Sequence, residues 1–255
     1  MMTNHEKDRN LSTHKNDALI SACQNRMMFD RISKRYDLLN TLLSLGLDTW
    51  WRKKSISCLN IVPDGTYLDV GCGTGDLCLL LGKRYNRIKI YGIDPSRQMV
   101  KNAQKKTIKT NFADTISYQI GDALKLPYVD ETFDGSIMGF CIRNVTNRKK
   151  ALEELFRVLT PGGKCVILEL HVPRKRPFVY FYHLYAKLFI PFVAGIVSQK
   201  KAYNYLNKSI RAFPARDEFI GMMQAVGFSQ CRAESLFPDT VTVFSGEKAE
   251  SQGHL

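Results

Sequence analysis

Leu68-Asp69-Val70-Gly71-Cys72-Gly73-Thr74-Gly75 joins a short β-rich run to an amphipathic helical one, and how it is read decides the fold. Thr66–Val70 is expected as a strand and Gly75–Arg84 as a helix. The glycines then stand at the C-terminal edge of a parallel strand, where doubly wound sheets bind ligands. Glycine lets backbone approach a ligand more closely than a Cβ would permit. Tight structural turns use glycine too, so the loop needs a second feature before it becomes a site. Tyr91-Gly92-Ile93-Asp94 supplies one, ending a second strand expected over Ile88–Ile93. A carboxylate about twenty residues beyond such a loop can take both hydroxyls of an adenosine ribose.

The glycine spacing selects the cofactor. Gly75 follows Gly73 by two residues, not by the three of the dinucleotide fingerprint. The acid at Asp69 suits the amino group of a methionine moiety, contacted directly or through water. Both features favour S-adenosylmethionine (SAM) over NAD. The segment resembles motif I of class I methyltransferases, and Gly121-Asp122-Ala123, ending the third strand, looks like their adenine-contacting motif.

Outward from the loop, strand and helix patterns alternate, the signature of a parallel sheet covered on both faces. A helix is expected over Ser96–Lys106, with strands at Ile116–Ile120 and Phe133–Phe140. In Lys149–Leu159, Leu152, Leu155, Phe156 and Leu159 line one helical face. Pro161-Gly162-Gly163 should stop that helix before a strand at Lys164–Glu169. Arg216–Val226 reads as a helix capped by Gly227, and strands at about Ser229–Glu234 and Thr240–Gly246 complete the sheet. Before all of these, Phe29, Ile32, Tyr36, Leu39 and Leu43 have helical spacing; that helix either packs on the sheet or covers the site as a lid.

The 255 residues suffice for one α/β domain, and 44% hydrophobic with 24% charged residues is an ordinary globular composition. The expected division is a flexible tail over 1–25 and a single domain over 26–250, with a helical lid at 26–60 and an apolar, aromatic insertion at 172–214. Met1 to Asp17 lacks the apolar core of a secretory signal. Phe178 to Val197 approaches membrane-spanning length, but His183, Lys187 and Pro191 interrupt it. Seven scattered cysteines without a Cys-x-x-Cys pair read as reduced thiols in a reducing compartment, which implies a cytoplasmic protein without a zinc site. The formal charge of +13 points to an anionic partner.

Gly139-Phe140-Cys141-Ile142-Arg143-Asn144, after the fourth strand, lacks the Pro-Pro-aromatic motif of enzymes that methylate base amines, and Cys141 lacks the proline of cytosine-C5 enzymes. Nucleic acid is therefore the disfavoured partner. From Phe29 to about Gly246 the chain resembles the ubiquinone/menaquinone biosynthesis C-methyltransferases. Tyr36-Asp37-Leu38-Leu39-Asn40 with Ser44 and Trp51 looks like their N-terminal signature, and Arg143-Asn144-Val145-Thr146 like their fourth-strand motif. Arg157-Val158-Leu159-Thr160-Pro161-Gly162-Gly163 with Glu169 resembles their second signature. The chain departs from these patterns at Asp48, where histidine is usual, at Leu39 (methionine), at His171 (serine) and at Gly139, where many members have serine.

The resemblance implies a doubly wound, Rossmann-like class I methyltransferase sheet of about seven strands, its last hairpin antiparallel, beneath an N-terminal helical lid. It implies SAM as cofactor, contacted by Thr74, Asp94, Asp122, Ala123 and Gly139, beside the loop residues Asp69, Gly71 and Gly73. The implied reaction is C-methylation of a polyprenylated quinol, foremost demethylmenaquinol to menaquinol; the alternatives are a methoxy-polyprenyl-benzoquinol, or another small molecule or RNA methylated on the same fold. Arg143, Asn144 and Tyr36 are the candidate catalytic residues, His171 and His183 the reserves, and an Arg143 merely paired with a surface carboxylate is the bland alternative. A membrane-resident quinol gives the basic charge a purpose: peripheral contact with an anionic membrane's inner face through Arg174, Lys175, Arg176, Lys200 and Lys201. Self-association as a homodimer completes the expected partners.

Overall fold

A computed structural model describes residues 21–33, 35–173, 176, 178–180 and 200–250, with the side chains of Ala22 and of 200–203 left aside. The tail to Asp17, His183, and Arg174 and Lys175 of the basic cluster lie outside the described residues, as does most of the apolar stretch from Phe178. Among the described residues no helix is long and apolar enough to cross a membrane.

Three helices precede the sheet: α1 (Ala22–Ile32), α2 (Tyr36–Leu43) and α3 (Leu47–Ile56). Ser21 and Gln24 form a reciprocal capping box at the start of α1. That helix therefore takes in the last four residues assigned to the tail. The helical spacing from Phe29 to Leu43 is shared between two helices rather than running through one. Leu45 and Gly46, both at positive φ, separate α2 from α3.

The alternation then runs β1 (Thr66–Val70), α4 (Asp76–Arg84), β2 (Lys89–Asp94), α5 (Arg97–Thr107), β3 (Ile116–Ile120), β4 (Phe133–Gly139), α6 (Arg148–Val158) and β5 (Leu159–Leu170). After these come α7 (Lys200–Arg211), α8 (Arg216–Val226), β6 (Phe228–Leu236) and β7 (Val241–Lys248). The seven strands lie in the order β3-β2-β1-β4-β5-β7-β6. The first five are parallel, and β7 runs antiparallel to both β5 and β6, as expected.

Side-chain alternation splits the core in two. Leu68, Val70, Met138 and Ile167 belong to one buried cluster with Leu152, Leu155 and Phe219 of α6 and α8. Tyr67, Ile137, Val166 and Leu168 belong to the other, with Trp51, Leu77 and Leu81. Two expected boundaries shift. Pro161-Gly162-Gly163 does not separate α6 from its strand by a loop: Leu159 already pairs with Phe133, and the proline and glycines ride in a bulge before Lys164 meets Gly135. At the other end β4 stops at Gly139, because Phe140 takes φ +56° and leaves the strand.

Chain order reverses at β1, whose neighbours are β2 on one side and β4 on the other. The C-terminal ends of β1 and β4 flank this switch point, where an open α/β sheet leaves a crevice.

Candidate active site

The loop after β1 takes its shape from backbone chemistry. Gly71 and Gly73 have φ of +70° and +54°. A Cβ on Gly71 would collide with Cys141, so the loop after β4 packs directly against the loop after β1. A Cβ on Gly73 would have only the Tyr36 ring within 4 Å, at 3.8 Å, and would project into open space. That space is a cavity of about 260 Å³, walled by Gly71, Gly73, Asp94, Gly121, Asp122, Ala123, Gly139 and Asn144 from the sheet side. Cys23, Asn25, Arg26 and Phe29 of α1, with Tyr36 of α2, close it from above. Six of the eight residues expected at the cofactor thus meet on one wall.

Asp94 accepts the Gly73 N–H at 3.0 Å and the Ser96 N–H at 2.8 Å, which aims its carboxylate across the loop. Burial lifts its carboxyl to about 6 against the pull of those two hydrogen bonds. Asp69 and Thr74 stand off this wall. Asp69 is buried and accepts the Cys78 thiol at 3.3 Å, while its Oδ1 has no partner. Burial raises its carboxyl to about 7, with the Cys78 hydrogen bond opposing. Thr74 turns its hydroxyl to Asp37 and receives Lys106 Nζ at 3.0 Å.

Lys106 also reaches Asp37 at 2.9 Å and Asp76 at 2.6 Å, and Arg52 lies 3.6 Å from Asp76. These pairs clamp α2 and α3 to the loop and to α5. Asp30 of α1 adds a hydrogen bond from Ser96 Oγ. The N-terminal helices are therefore a tethered cover, which the spacing of their apolar residues alone did not reveal.

A second cavity of about 280 Å³ shares Tyr36 and Phe140 with the first. Its wall is mostly apolar, including Leu43, Leu47, Trp51, Leu170, Phe178 and Leu206, with Arg143, Asn40, Ser44, Asp48 and Thr240 as polar exceptions. Arg143 lines the apolar cavity and Asn144 the first, and the two meet at a smaller third cavity of about 70 Å³ beneath α1 and α2. A short 3-10 turn over Ile142–Asn144 rotates consecutive side chains apart.

Arg143 is held by Glu169, which sequence reading quoted only as part of a signature. Glu169, fully buried at the end of β5, accepts Arg143 Nη1 at 2.7 Å and the Arg143 backbone N–H at 3.0 Å. The Phe140 carbonyl takes a further hydrogen bond from Nη1. The bland alternative for Arg143, pairing with a surface carboxylate, is not what is found: its partner is fully buried, and the guanidinium borders a cavity with its Nε unpartnered. Burial works against the charge and Glu169 restores it, leaving the group above the usual arginine range. Burial pushes the Tyr36 phenol up, against the Asn40 hydrogen bond and the Arg143 charge, so it stays protonated at neutral pH. His171 lies elsewhere, bonded to Thr242 and Arg216.

The first cavity fits an adenosine-type sulfonium cofactor on two counts: a glycine cradle that a Cβ would fill and a buried carboxylate aimed across it. The described residues hold no cluster of metal-binding side chains.

A sequence model described as the ubiE/COQ5 methyltransferase family matches residues 19–248. The ubiquinone/menaquinone biosynthesis C-methyltransferase UbiE of Geotalea daltonii is 39% identical over 222 residues, covering 87% of this chain and 94% of that protein. The demethylmenaquinone methyltransferase of Porphyromonas gingivalis is 38% identical over 223 residues, covering 87% and 91%. Among solved structures, the Haloferax volcanii putative methyltransferase in complex with the Trm112 activator superposes with a TM-score of 0.64 at 18% identity, covering 87% and 98% of the two chains. Haemonchus contortus phosphoethanolamine N-methyltransferase 2, in complex with S-adenosyl-L-methionine, gives 0.60 at 15% identity over 78% and 52%.

Proposed function

We infer the reaction from the premise that this chain belongs to the ubiE/COQ5 methyltransferase family; it is a SAM-dependent methyltransferase that C-methylates the ring of a quinone precursor. The finer reading is methylation of demethylmenaquinol, supported by relatives named demethylmenaquinone methyltransferase. The observation that carries a prenylated aromatic acceptor is the apolar cavity, which shares Tyr36 and Phe140 with the cofactor cavity.

When bound, SAM supplies an electrophilic methyl on a sulfonium. Asp94 is assigned the ribose hydroxyls, Asp122 and Ala123 the adenine, and Asp69 the amino group, directly or through water. A ring carbon becomes nucleophilic when the neighbouring phenol loses its proton, so the protein must favour that phenolate. Arg143 cannot take the proton, because a buried, Glu169-paired guanidinium stays charged. It instead stabilises the oxygen anion while the proton leaves to water, and Tyr36 donates a second hydrogen bond. The bond from the ring carbon to the methyl would form as the methyl–sulfur bond breaks and a neutral thioether leaves, and the carbon's hydrogen would then pass as a proton to water, which restores aromaticity. The N-terminal helices exclude water while opposite charges are neutralised. The five basic residues around the apolar stretch are assigned to an anionic membrane surface that presents the substrate.

Incubation with methyl-labelled SAM and either reduced demethylmenaquinol or the benzoquinol precursor tests this. Labelled C-methyl product from the naphthoquinol is expected. Label in RNA and in neither quinol would overturn the assignment.

A further inference from the structure

Asp48 is a carboxylate in an apolar wall. It lines the apolar cavity between Leu47 and Trp51 and is 6% exposed. Ser44 Oγ lies 3.0 Å from its Oδ1, and Arg52 Nη1 donates to Oδ2 at 2.5 Å. Arg52 is shared with Asp76, which together with Asp37 draws on Lys106. Asp37, Asp48 and Asp76 are thus three carboxylates against the two cations Arg52 and Lys106, so this chain of pairs carries one excess negative charge.

Ser44 divides its single proton between Asp48 and the Thr41 carbonyl, 3.1 Å away. An ionised carboxylate only accepts hydrogen bonds and has lone pairs for about four. At this point the wall therefore calls for a donor from whatever fills the cavity. The other polar station, Arg143 with Tyr36, offers donors. One cavity thus presents donors at one place and an acceptor at another.

Resting on the quinol reading above, we propose that Asp48 is the positioning residue that selects the redox state of the ring. A quinol carries two para oxygens. The one beside the reacting carbon becomes the phenolate held at Arg143, and the other keeps its proton and donates to Asp48. The oxidised ring has a carbonyl there, whose lone pairs face the carboxylate and are repelled. Asp48 thereby admits the nucleophilic form and turns away the electron-poor one. The hydrogen bond to an anion also feeds electron density into the ring.

The test uses the full-length protein with a naphthoquinol bearing one prenyl unit, held reduced without oxygen, and with the matching quinone. Binding is read from tryptophan fluorescence, since Trp51 borders the cavity. Wild type should bind the quinol about tenfold tighter or more, the worth of one charge-assisted hydrogen bond. Asp48→Asn, which supplies an N–H to a carbonyl, should bring the ratio near one with SAM affinity unchanged, whereas Asp48→Glu should keep the preference. Equal wild-type binding of the two forms overturns the proposal, as does an undiminished preference in folded Asp48→Asn. If the asparagine protein does not fold, the wild-type ratio decides. Methylation of the quinol without redox discrimination sinks only the role of Asp48; a quinol neither bound nor methylated sinks the underlying reading as well.

Discussion

The Asp94 carboxyl accepts two backbone N–H groups yet titrates near 6, because burial outweighs them. Two ribose hydroxyls need an ionised acceptor, so SAM affinity should fall as pH drops below about 6, as isothermal titration would record. Asp94→Asn should flatten that dependence, and Asp94→Ala should abolish binding. Without ligand the sign for stability is the reverse. Asp69 at about 7 and Asp94 at about 6 hold protons more tightly folded than unfolded, where aspartate titrates at about 3.9. Thermal stability of the free protein should therefore fall as pH rises through that window.

Arg143 has a structural duty as well as its proposed chemical one, and the two separate experimentally. Arg143→Met strands Glu169 as an unpaired buried charge, a destabilisation of about 3–5 kcal/mol. Adding Glu169→Gln should recover much of the melting temperature but none of the turnover. Recovery of both would reduce Arg143 to a packing residue.

At the scale of elements, the N-terminal helices cover both cavities and are tied down at few points. Lys106 bridges α5 to Asp37 of α2, to Asp76 of α4 and to Thr74 of the loop. It is partly exposed, so Lys106→Met should cost only about 1 kcal/mol of global stability. Its larger effect should be local: faster amide hydrogen exchange across α1 to α3 and a raised KM for SAM, with exchange in β1 and β4 unchanged. Phe140 matters at the same scale. Positive φ is unfavourable for so bulky a residue. Here the Phe140 N–H bonds to the Leu168 carbonyl, its carbonyl accepts Arg143, and its ring stands between the cavities. The turn is over-determined by its neighbours, as backbone strain at working sites commonly is.

For the whole molecule, the +13 charge and a cavity fit for a prenylated ring predict binding to vesicles of anionic lipid that weakens with salt. Co-sedimentation should show retention on anionic and not on zwitterionic vesicles, and neutralising Arg174, Lys175, Arg176, Lys200 and Lys201 together should remove it. Unchanged retention in that variant would assign the charge to solubility alone.

The family resemblance alone supplied the antiparallel end of the sheet; the order of strands and helices along the chain and the glycine loop with Asp94 were legible in the residues themselves. They follow from local rules: side-chain period, helix stops, and glycine where backbone must turn or come close. Which cavities Arg143 and Asn144 border was not legible, because a 3-10 turn and not a strand carries the pair. Glu169, Lys106 and Asp48 gave only faint signals, an acid within an apolar strand, a lysine on an amphipathic helix and an acid beside tryptophan. Their partners lie between four and some seventy residues away, and a charge declares its purpose only beside the charge that answers it. Local periodicity and turn chemistry thus settled the sheet and the cofactor loop. Folding alone decided which charges are buried together, and so which cavity each one serves.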